Sequence, residues 1–303
     1  MENYFELIID INPEISDVVS DICFTNFDCE GVVLAEEAWK DLEMVSTTEG
    51  ELKAFLTSKP DNATVAKILT ENRNRNLLLE RGFSEEELGS WAFAITEKEN
   101  QDWSKKWKEK WDVTHVSNKI TIVPSWLEYT PKTGDEVIIT LDPGCAFGTG
   151  THATTQLCML ALEKYFNKGE SLADIGMGSG ILAICGKKLG AEYVYGCDND
   201  ETVIEVAKEN AIKNKVKCEF ELNTADKVTK QFDFVCANIL HNVLAEIMGD
   251  LKAIMKKGAK MSLSGILDEK KPVVLEAIKR ENLNIIEEIH MNQWTSFVVE
   301  KID

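Results

Sequence analysis

The sequence lacks the residue spacings that build metal centres and disulfide frameworks. None of its eight cysteines forms a Cys-x-x-Cys pair, and its four histidines show no His-Glu-x-x-His or other metal-ligand spacing. In an intracellular chain of this length, such cysteines are typical of free thiols that pack in a hydrophobic core. We therefore expect free thiols and no metal site.

Long hydrophobic runs are also missing. No apolar stretch approaches the ~20 residues needed to span a bilayer. The first residues, Met1 to Glu6, lack the basic, apolar and small-residue order of a signal peptide. Together these absences predict a cytoplasmic protein without a membrane segment.

Positive charge is scarce, with Lys+Arg 33 against Asp+Glu 52 and a formal net charge of −19 over 303 residues. Phosphate binding needs excess Lys and Arg, so we expect no direct nucleic-acid site. Residues 1–100 hold 22 acidic and 8 basic residues, a net charge of −14, whereas residues 101–303 have a net charge of −5. The acidic third of the chain is either a solubilising surface or a recognition module for a basic partner.

The first hundred residues alternate between strand-like and helix-like patterns. Strand patterns at 4–11, 31–35, 52–56 and 91–96 and helical patterns at 14–25 and 62–80 give the order β-α-β-β-α-β. That order is typical of a ferredoxin-like α+β sandwich. We therefore predict a ferredoxin-like domain over residues 1–100.

A tryptophan-rich segment follows this domain. Trp103, Trp107 and Trp111 are four residues apart, so they line one face of a helix, with lysines at other positions. Basic residues interleaved with aromatic ones also occur in proteins that bind single-stranded nucleic acid. We favour a helical linker over residues 101–118 that packs its tryptophans onto a domain.

From about residue 119 the pattern changes to repeated strand–helix units. Alternation of this kind predicts a parallel sheet with helices on both faces. Two final strand-like runs, 284–290 and 294–301, predict an antiparallel hairpin at one edge. The sequence therefore predicts an α/β domain over 119–303, with its ligand at the carboxyl ends of the strands.

A glycine loop follows one predicted strand. Asp174 precedes Gly176, Gly178 and Gly180, and Asp198 lies at the end of the next predicted strand. Glycine allows a tight turn close to a ligand, and a carboxylate at the second strand end can accept hydrogen bonds from both ribose hydroxyls. The spacing is Gly-x-Gly-x-Gly rather than the Gly-x-Gly-x-x-Gly of dinucleotide enzymes. The alternative is a plain glycine turn with a helix-capping aspartate.

A second loop, residues 142–155, reads Asp-Pro-Gly-Cys-Ala-Phe-Gly-Thr-Gly-Thr-His-Ala-Thr-Thr and leads into a predicted helix. It holds Phe147, Gly148, Thr149 and Thr155. The hydroxyls and the backbone N–H groups at the helix start can face a ligand carboxylate. The alternative is an ordinary connecting loop with a helix cap.

Asn238 lies just past the fourth strand of the predicted strand–helix units. Its amide could contact an adenine, a methionine group or a substrate amine. Helix capping is an equally good explanation, since asparagine is a favourable N-cap residue.

The three loops together call for a ligand with a ribose and no pyrophosphate, and S-adenosylmethionine meets that requirement. Asp-x-Gly-x-Gly-x-Gly resembles motif I of class I S-adenosylmethionine-dependent methyltransferases. More specifically, residues 142–155, 174–182, 198, 237–240 and 264–267 resemble the signatures of the ribosomal protein L11 methyltransferase family (PrmA-type).

The resemblance implies a ferredoxin-like domain that recognises the substrate, a helical linker and a Rossmann-like methyltransferase domain with a seven-stranded, mostly parallel sheet. It implies methylation of lysine side chains and the N-terminal amine of a basic ribosomal protein. The implied cofactor contacts fall on Thr155, Gly176, Asp198 and Asn238.

Other functions stay open at this point. The chain could methylate another protein or a small amine, or it could bind S-adenosylmethionine without turnover. A nicotinamide oxidoreductase is disfavoured by the glycine spacing. No catalytic base is assigned, because His152 and His241 are both better explained as structural residues.

Overall fold

The computed structural model describes residues 4–12, 15–34, 50–71, 73–80, 84–98, 112–141 and 150–302. The chain divides into two compact units. The described residues up to 98 belong to the first, and residues 112–141 and 150–302 belong to the second. Within these ranges no helix combines the length and apolarity needed to cross a membrane.

The first unit contains a four-stranded antiparallel sheet with the order β2-β3-β1-β4. Its elements are β1 (Tyr4–Asp10), α1 (Ser16–Asn26), β2 (Cys29–Leu34), β3 (Glu51–Leu56), α2 (Asn62–Glu71), α3 (Arg73–Glu80), α4 (Glu85–Leu88) and β4 (Phe93–Lys98). Leu7 and Ile9 on β1 are fully buried, as is Leu52 on β3. Alternate residues of these strands therefore supply the core of the unit.

Strand β4 begins later than its sequence pattern predicts. Trp91 has a φ of 52°, in the left-handed region that a strand does not use. Its indole nitrogen donates a hydrogen bond to the Leu88 carbonyl at 2.9 Å. The tryptophan thus closes the turn after α4, and the strand starts at Phe93.

The second unit begins with a small three-stranded sheet, β5-β6-β7, before its main sheet. The elements of the unit are β5 (Thr114–His115), β6 (Ile120–Val123), β7 (Val137–Thr140), α5 (Ala153–Tyr165), β8 (Ser171–Ile175), α6 (Ile181–Lys188), β9 (Tyr193–Asp198), α7 (Glu201–Lys213), β10 (Glu219–Leu222), β11 (Phe232–Asn238), α8 (His241–Ala253), β12 (Met255–Leu267), α9 (Lys271–Arg280), β13 (Asn284–Met291) and β14 (Trp294–Glu300).

The main sheet has seven strands in the order β10-β9-β8-β11-β12-β14-β13. Strands β8 to β12 run parallel, and β14 and β13 are antiparallel to their neighbours. The predicted seven-stranded, mostly parallel sheet with an edge hairpin is therefore confirmed. Strand order reverses between β8 and β11, which is where an open α/β sheet forms its ligand crevice.

The core of the second unit lies on the two faces of this sheet. Residues on β8, β11, β12 and β14 pack against α8 and α9. This cluster includes Val235, Ala237, Met261 and Phe297 on the strands and Leu244, Met248 and Val274 on the helices. These strands are apolar on both faces because helices cover both sides of a parallel sheet. This packing fixes the strand ends that build the site.

Candidate functional site

The glycine loop joins the carboxyl end of β8 to α6. Gly176, Gly178 and Gly180 have φ values of 70°, 49° and 74°. At position 176 a Cβ would lie 2.4 Å from Cγ2 of Ile239. A side chain there would be strained and would collide with the turn after β11, so only glycine fits.

Asp198 lies at the carboxyl end of β9, beside the glycine loop. Its Oδ2 accepts a hydrogen bond from the Gly178 N–H at 3.0 Å, and its Oδ1 accepts one from the Asp200 N–H at 3.1 Å. The Gly176 N–H donates to the Cys197 carbonyl at 2.9 Å. The loop and the aspartate of the next strand are thus in direct contact. The carboxylate can accept a further hydrogen bond from a ligand hydroxyl.

Asp174 is almost fully buried at 1% exposure. Its Oδ2 accepts a hydrogen bond from the Ala183 N–H in the first turn of α6 at 3.0 Å, and its Oδ1 has no partner within the described residues. Burial, opposed by that hydrogen bond and assisted by the charge of Asp198, raises the pKa of the Asp174 carboxyl to about 7. Burial also raises the pKa of Asp198.

Asn238 and Thr155 meet between the ends of β11 and α5. One end of the Asn238 amide donates to Thr155 Oγ1 at 3.3 Å, while its other end is buried without a partner in the described part of the chain. Both residues are 5% exposed or less. A buried amide with one end satisfied is poised to bind a polar ligand group, because an unpaired buried polar atom is costly.

The start of α5 is held by residues that the sequence did not single out for this role. His152 caps the helix, with its Nδ1 accepting from the Thr154 N–H and its ring edge-on to Trp294 at 4.9 Å. Ser264 donates a hydrogen bond to the Thr154 carbonyl at 2.9 Å. The contacts of His152 with Trp294 and of Ser264 with Thr154 join residues more than a hundred positions apart, so no local pattern indicates them.

The structure brings together Asp174, Gly176, Gly178 and Asp198 on one side, and Thr155 with Asn238 on the other. Residues 142–149, which hold Phe147, Gly148 and Thr149, lie outside the described residues, so their predicted contribution stays a prediction. Within the described ranges, no group of three or more His, Cys, Asp or Glu side chains is arranged to hold a metal ion.

Comparison with known proteins places this site in a family. A 40% identical relative, the ribosomal protein L11 methyltransferase of Bacillus licheniformis, aligns over 71% of this chain and 70% of its own length. The homologue from Caldicellulosiruptor saccharolyticus is 32% identical over 98% of this chain and 99% of its own.

A solved structure shares the fold. The crystal structure of the ribosomal protein L11 methylase from Lactobacillus delbrueckii subsp. bulgaricus is 33% identical and has a TM-score of 0.61, covering 64% of this chain and all of its own. The second unit therefore has the α/β class I methyltransferase fold. The family model for the ribosomal protein L11 methyltransferases (PrmA) matches residues 3–302. The chain belongs to the ribosomal protein L11 methyltransferase family.

Proposed function

We propose that this chain transfers methyl groups from S-adenosylmethionine to lysine side chains and the N-terminal amine of ribosomal protein L11. The observation that carries the proposal is the buried Asn238–Thr155 pair at the switch point of the sheet, with one end of the amide unpartnered within the described residues. Family membership over residues 3–302 supports the same activity.

The residues of the site fit S-adenosylmethionine. We propose that Asp198, at the carboxyl end of β9 and beside the glycine loop, accepts hydrogen bonds from the ribose hydroxyls. Gly176 and Gly178 leave room for close approach to the loop. Among the described residues, one oxygen of Asp174 and the Oδ1 end of the Asn238 amide are buried polar atoms without a partner, and we propose that they bind the cofactor or a bridging water.

When bound, S-adenosylmethionine supplies a methyl group on a sulfonium sulfur. The chain must hold the acceptor amine in line with that methyl group and the leaving sulfur. A lysine amine has a reference pKa of about 10.4 and must lose its proton before attack, which desolvation in a pocket favours. We propose that the buried Oδ1 of Asn238 orients that amine as a hydrogen-bond acceptor, and we assign no catalytic base.

The first unit is proposed as the substrate-recognition domain. Its element order and its sheet order β2-β3-β1-β4 support a ferredoxin-like domain over residues 1–100. The net charge of −14 over residues 1–100 suits a basic ribosomal protein, through electrostatic steering more than through affinity. We propose a helical linker over 101–118, a methyltransferase domain over 119–303, and a cytoplasmic location. Residues 99–111, with Trp103, Trp107 and Trp111, lie outside the described residues.

The decisive experiment uses the full chain, methyl-labelled S-adenosylmethionine and a mixture of ribosomal proteins that includes L11. Peptide mass mapping should find the label on lysines or the N-terminal amine of L11, and Asp198→Ala should abolish it. Label on a different ribosomal protein would mean that this protein, and not L11, is the substrate. Cofactor binding without any label would mean that the chain is a non-catalytic S-adenosylmethionine-binding protein.

A further inference from the structure

The carboxyl end of β12 lies next to the Asn238–Thr155 pair. Asn238 and Ser264 are opposite each other in the parallel pairing of β11 with β12. The register between β12 and β14 shifts between Leu263 and Ile266, so Ser264 and Gly265 sit at an irregularity of the ladder. Irregularities of this kind commonly re-aim backbone or side chains beside active sites.

Gly265 fixes the peptide that follows Asn238. Its φ is +85°, and a Cβ at this position would lie 2.4 Å from the Ile239 carbonyl oxygen and 2.9 Å from its carbonyl carbon. The Ile239 N–H donates to the Ser264 carbonyl at 3.2 Å. On its other side, the Ile239 side chain lies where a Cβ of Gly176 would be. Ile239 is therefore held between two glycines from two different strand ends.

Ser264 fixes the other half of the pair. Its side chain is fully buried, and its Oγ donates to the Thr154 carbonyl at 2.9 Å. Thr154 immediately precedes Thr155, whose Oγ1 accepts from Asn238. Ser264 and Gly265 thus contact the backbone next to each member of the pair.

We propose that Ser264 and Gly265 are positioning residues for the cofactor site, which hold Thr155 and Asn238 at bonding distance through these backbone contacts. This inference rests on the proposed function, since it concerns the same site. It assigns a role in cofactor binding to Ser264 and Gly265 of β12.

Ser264→Ala is the first test, with Ser262→Ala as its matched control. Ser262 lies two residues earlier on the same face of β12 and is also fully buried, but its Oγ contacts the side chains of Cys158 and Ser296, at 3.5 and 3.4 Å, instead of the α5 backbone. We expect Ser264→Ala to weaken S-adenosylmethionine binding by about five- to tenfold in calorimetric titration, the effect of one lost buried hydrogen bond. Ser262→Ala should bind within about twofold of wild type on the same scale.

Steady-state kinetics separates positioning from general destabilisation. Ser264→Ala should raise KM for S-adenosylmethionine while leaving KM for the protein substrate unchanged. If Ser264 had a merely structural role, Ser264→Ala and Ser262→Ala would both lower the fraction of active enzyme. Neither variant would then change KM for S-adenosylmethionine or KM for the protein substrate.

Gly265→Ala is the second test, with Gly258→Ala on the same strand as its control. Gly258 has a φ of +75° and nothing within 4 Å of a Cβ, so it shares the backbone strain without the collision. We expect Gly265→Ala to lose at least about tenfold in affinity for S-adenosylmethionine and Gly258→Ala to keep it. If Gly265→Ala does not fold, as judged by circular dichroism, Ser264→Ala decides alone.

Wild type and Asp198→Ala keep the two hypotheses distinct. If wild type binds S-adenosylmethionine, Asp198→Ala does not, and Ser264→Ala binds as well as Ser262→Ala, then the positioning inference is overturned and the proposed function stands. If wild type does not bind the cofactor, the proposed function itself fails.

Discussion

The two units of this chain differ in where they keep their charge and their chemistry. The first unit holds most of the net negative charge of the protein, and its sequence contains no ligand-binding motif. The second unit is close to neutral by comparison, and its strand ends gather glycines, a buried carboxyl group, a half-buried one and a buried amide. The difference teaches that a compact cofactor site needs a few well-placed polar atoms, whereas recognition of a basic protein requires a broad field.

The largest effect expected on the second unit comes from Asp198→Ala. The change removes the carboxylate that receives the Gly178 and Asp200 N–H groups and that is proposed to hold the ribose. We expect S-adenosylmethionine affinity to fall at least about 100-fold, equivalent to ~2.8 kcal/mol. Calorimetric titration measures it, with the exposed Asp135→Ala as control. Equal affinity for the two variants would remove Asp198 from the site.

Gly176→Ala should have the next largest effect. A Cβ would collide with Ile239 and strain a φ of +70°, whereas Gly169→Ala places a Cβ at a φ of +93° with nothing within 4 Å. Both variants should lose about 1 kcal/mol of unfolding free energy or more. Only Gly176→Ala should also lose cofactor affinity, by about tenfold or more. Thermal denaturation and titration on the same samples check this, and a parallel loss of affinity in Gly169→Ala would contradict it.

Ionic strength should affect binding of the protein substrate, which we assign to the first unit, and not binding of the cofactor. Raising it from about 0.01 M to about 0.1 M shortens the Debye length from about 30 Å to about 10 Å, which weakens attraction between exposed charges. We expect KM for ribosomal protein L11 to rise several-fold while the dissociation constant of S-adenosylmethionine changes little. A KM that is indifferent to salt would return the acidic surface to a solubilising role.

The smallest effect expected is a pH dependence of stability from Asp174. The pKa of its carboxyl is raised from 3.8 to about 7 in the folded chain, mainly by burial. Its stabilising contribution is therefore fully present below the unfolded value and is lost as pH rises towards 7, because the unfolded state ionises while the folded state stays protonated. Above that pH the loss is complete. The thermal midpoint of the cofactor-free protein should thus fall between about pH 4 and pH 7 and level off above that range.

Asp174→Asn tests this assignment, because an amide keeps the acceptor for the Ala183 N–H and cannot ionise. The thermal midpoint of this variant should fall less than that of wild type over the same pH range. At pH 8 the difference between the two falls should amount to several degrees. The surrounding thiols should not confuse the result, since burial raises the pKa of Cys158 to about 12 and that of Cys236 above its usual range. An identical pH slope in the variant would assign the dependence to other groups.

Much of the fold could be predicted because the signals are local. Strand and helix periodicities identify each strand–helix unit of the seven-stranded sheet, and a short turn between the last two strands predicts the edge hairpin. The lengths of individual elements were less predictable. The strand pattern at 91–96, for example, forms a strand only from Phe93, because Trp91 has a left-handed backbone in the turn before it.

The site divides in the same way. Asp174, Gly176, Gly178 and Asp198 belong to a contiguous motif and the strand after it, so sequence identifies them together. The bond from Ser264 to the Thr154 carbonyl spans 110 positions, and the contact of Gly265 with Ile239 depends on a register shift. Such contacts are set by tertiary packing, so no sequence pattern predicts them. The predicted roles of Phe147, Gly148 and Thr149 stay predictions.

Hydrogen–deuterium exchange of the intact chain, with and without S-adenosylmethionine, tests the division between the two units most directly. With the cofactor bound, we expect slower exchange at the start of α5 and at the strand-end loops of the second unit, which are residues 174–180, 198–200 and 238–242. We expect no change in the strands of the first unit. Protection that falls on β1 to β4, or none at the glycine loop, would contradict this division.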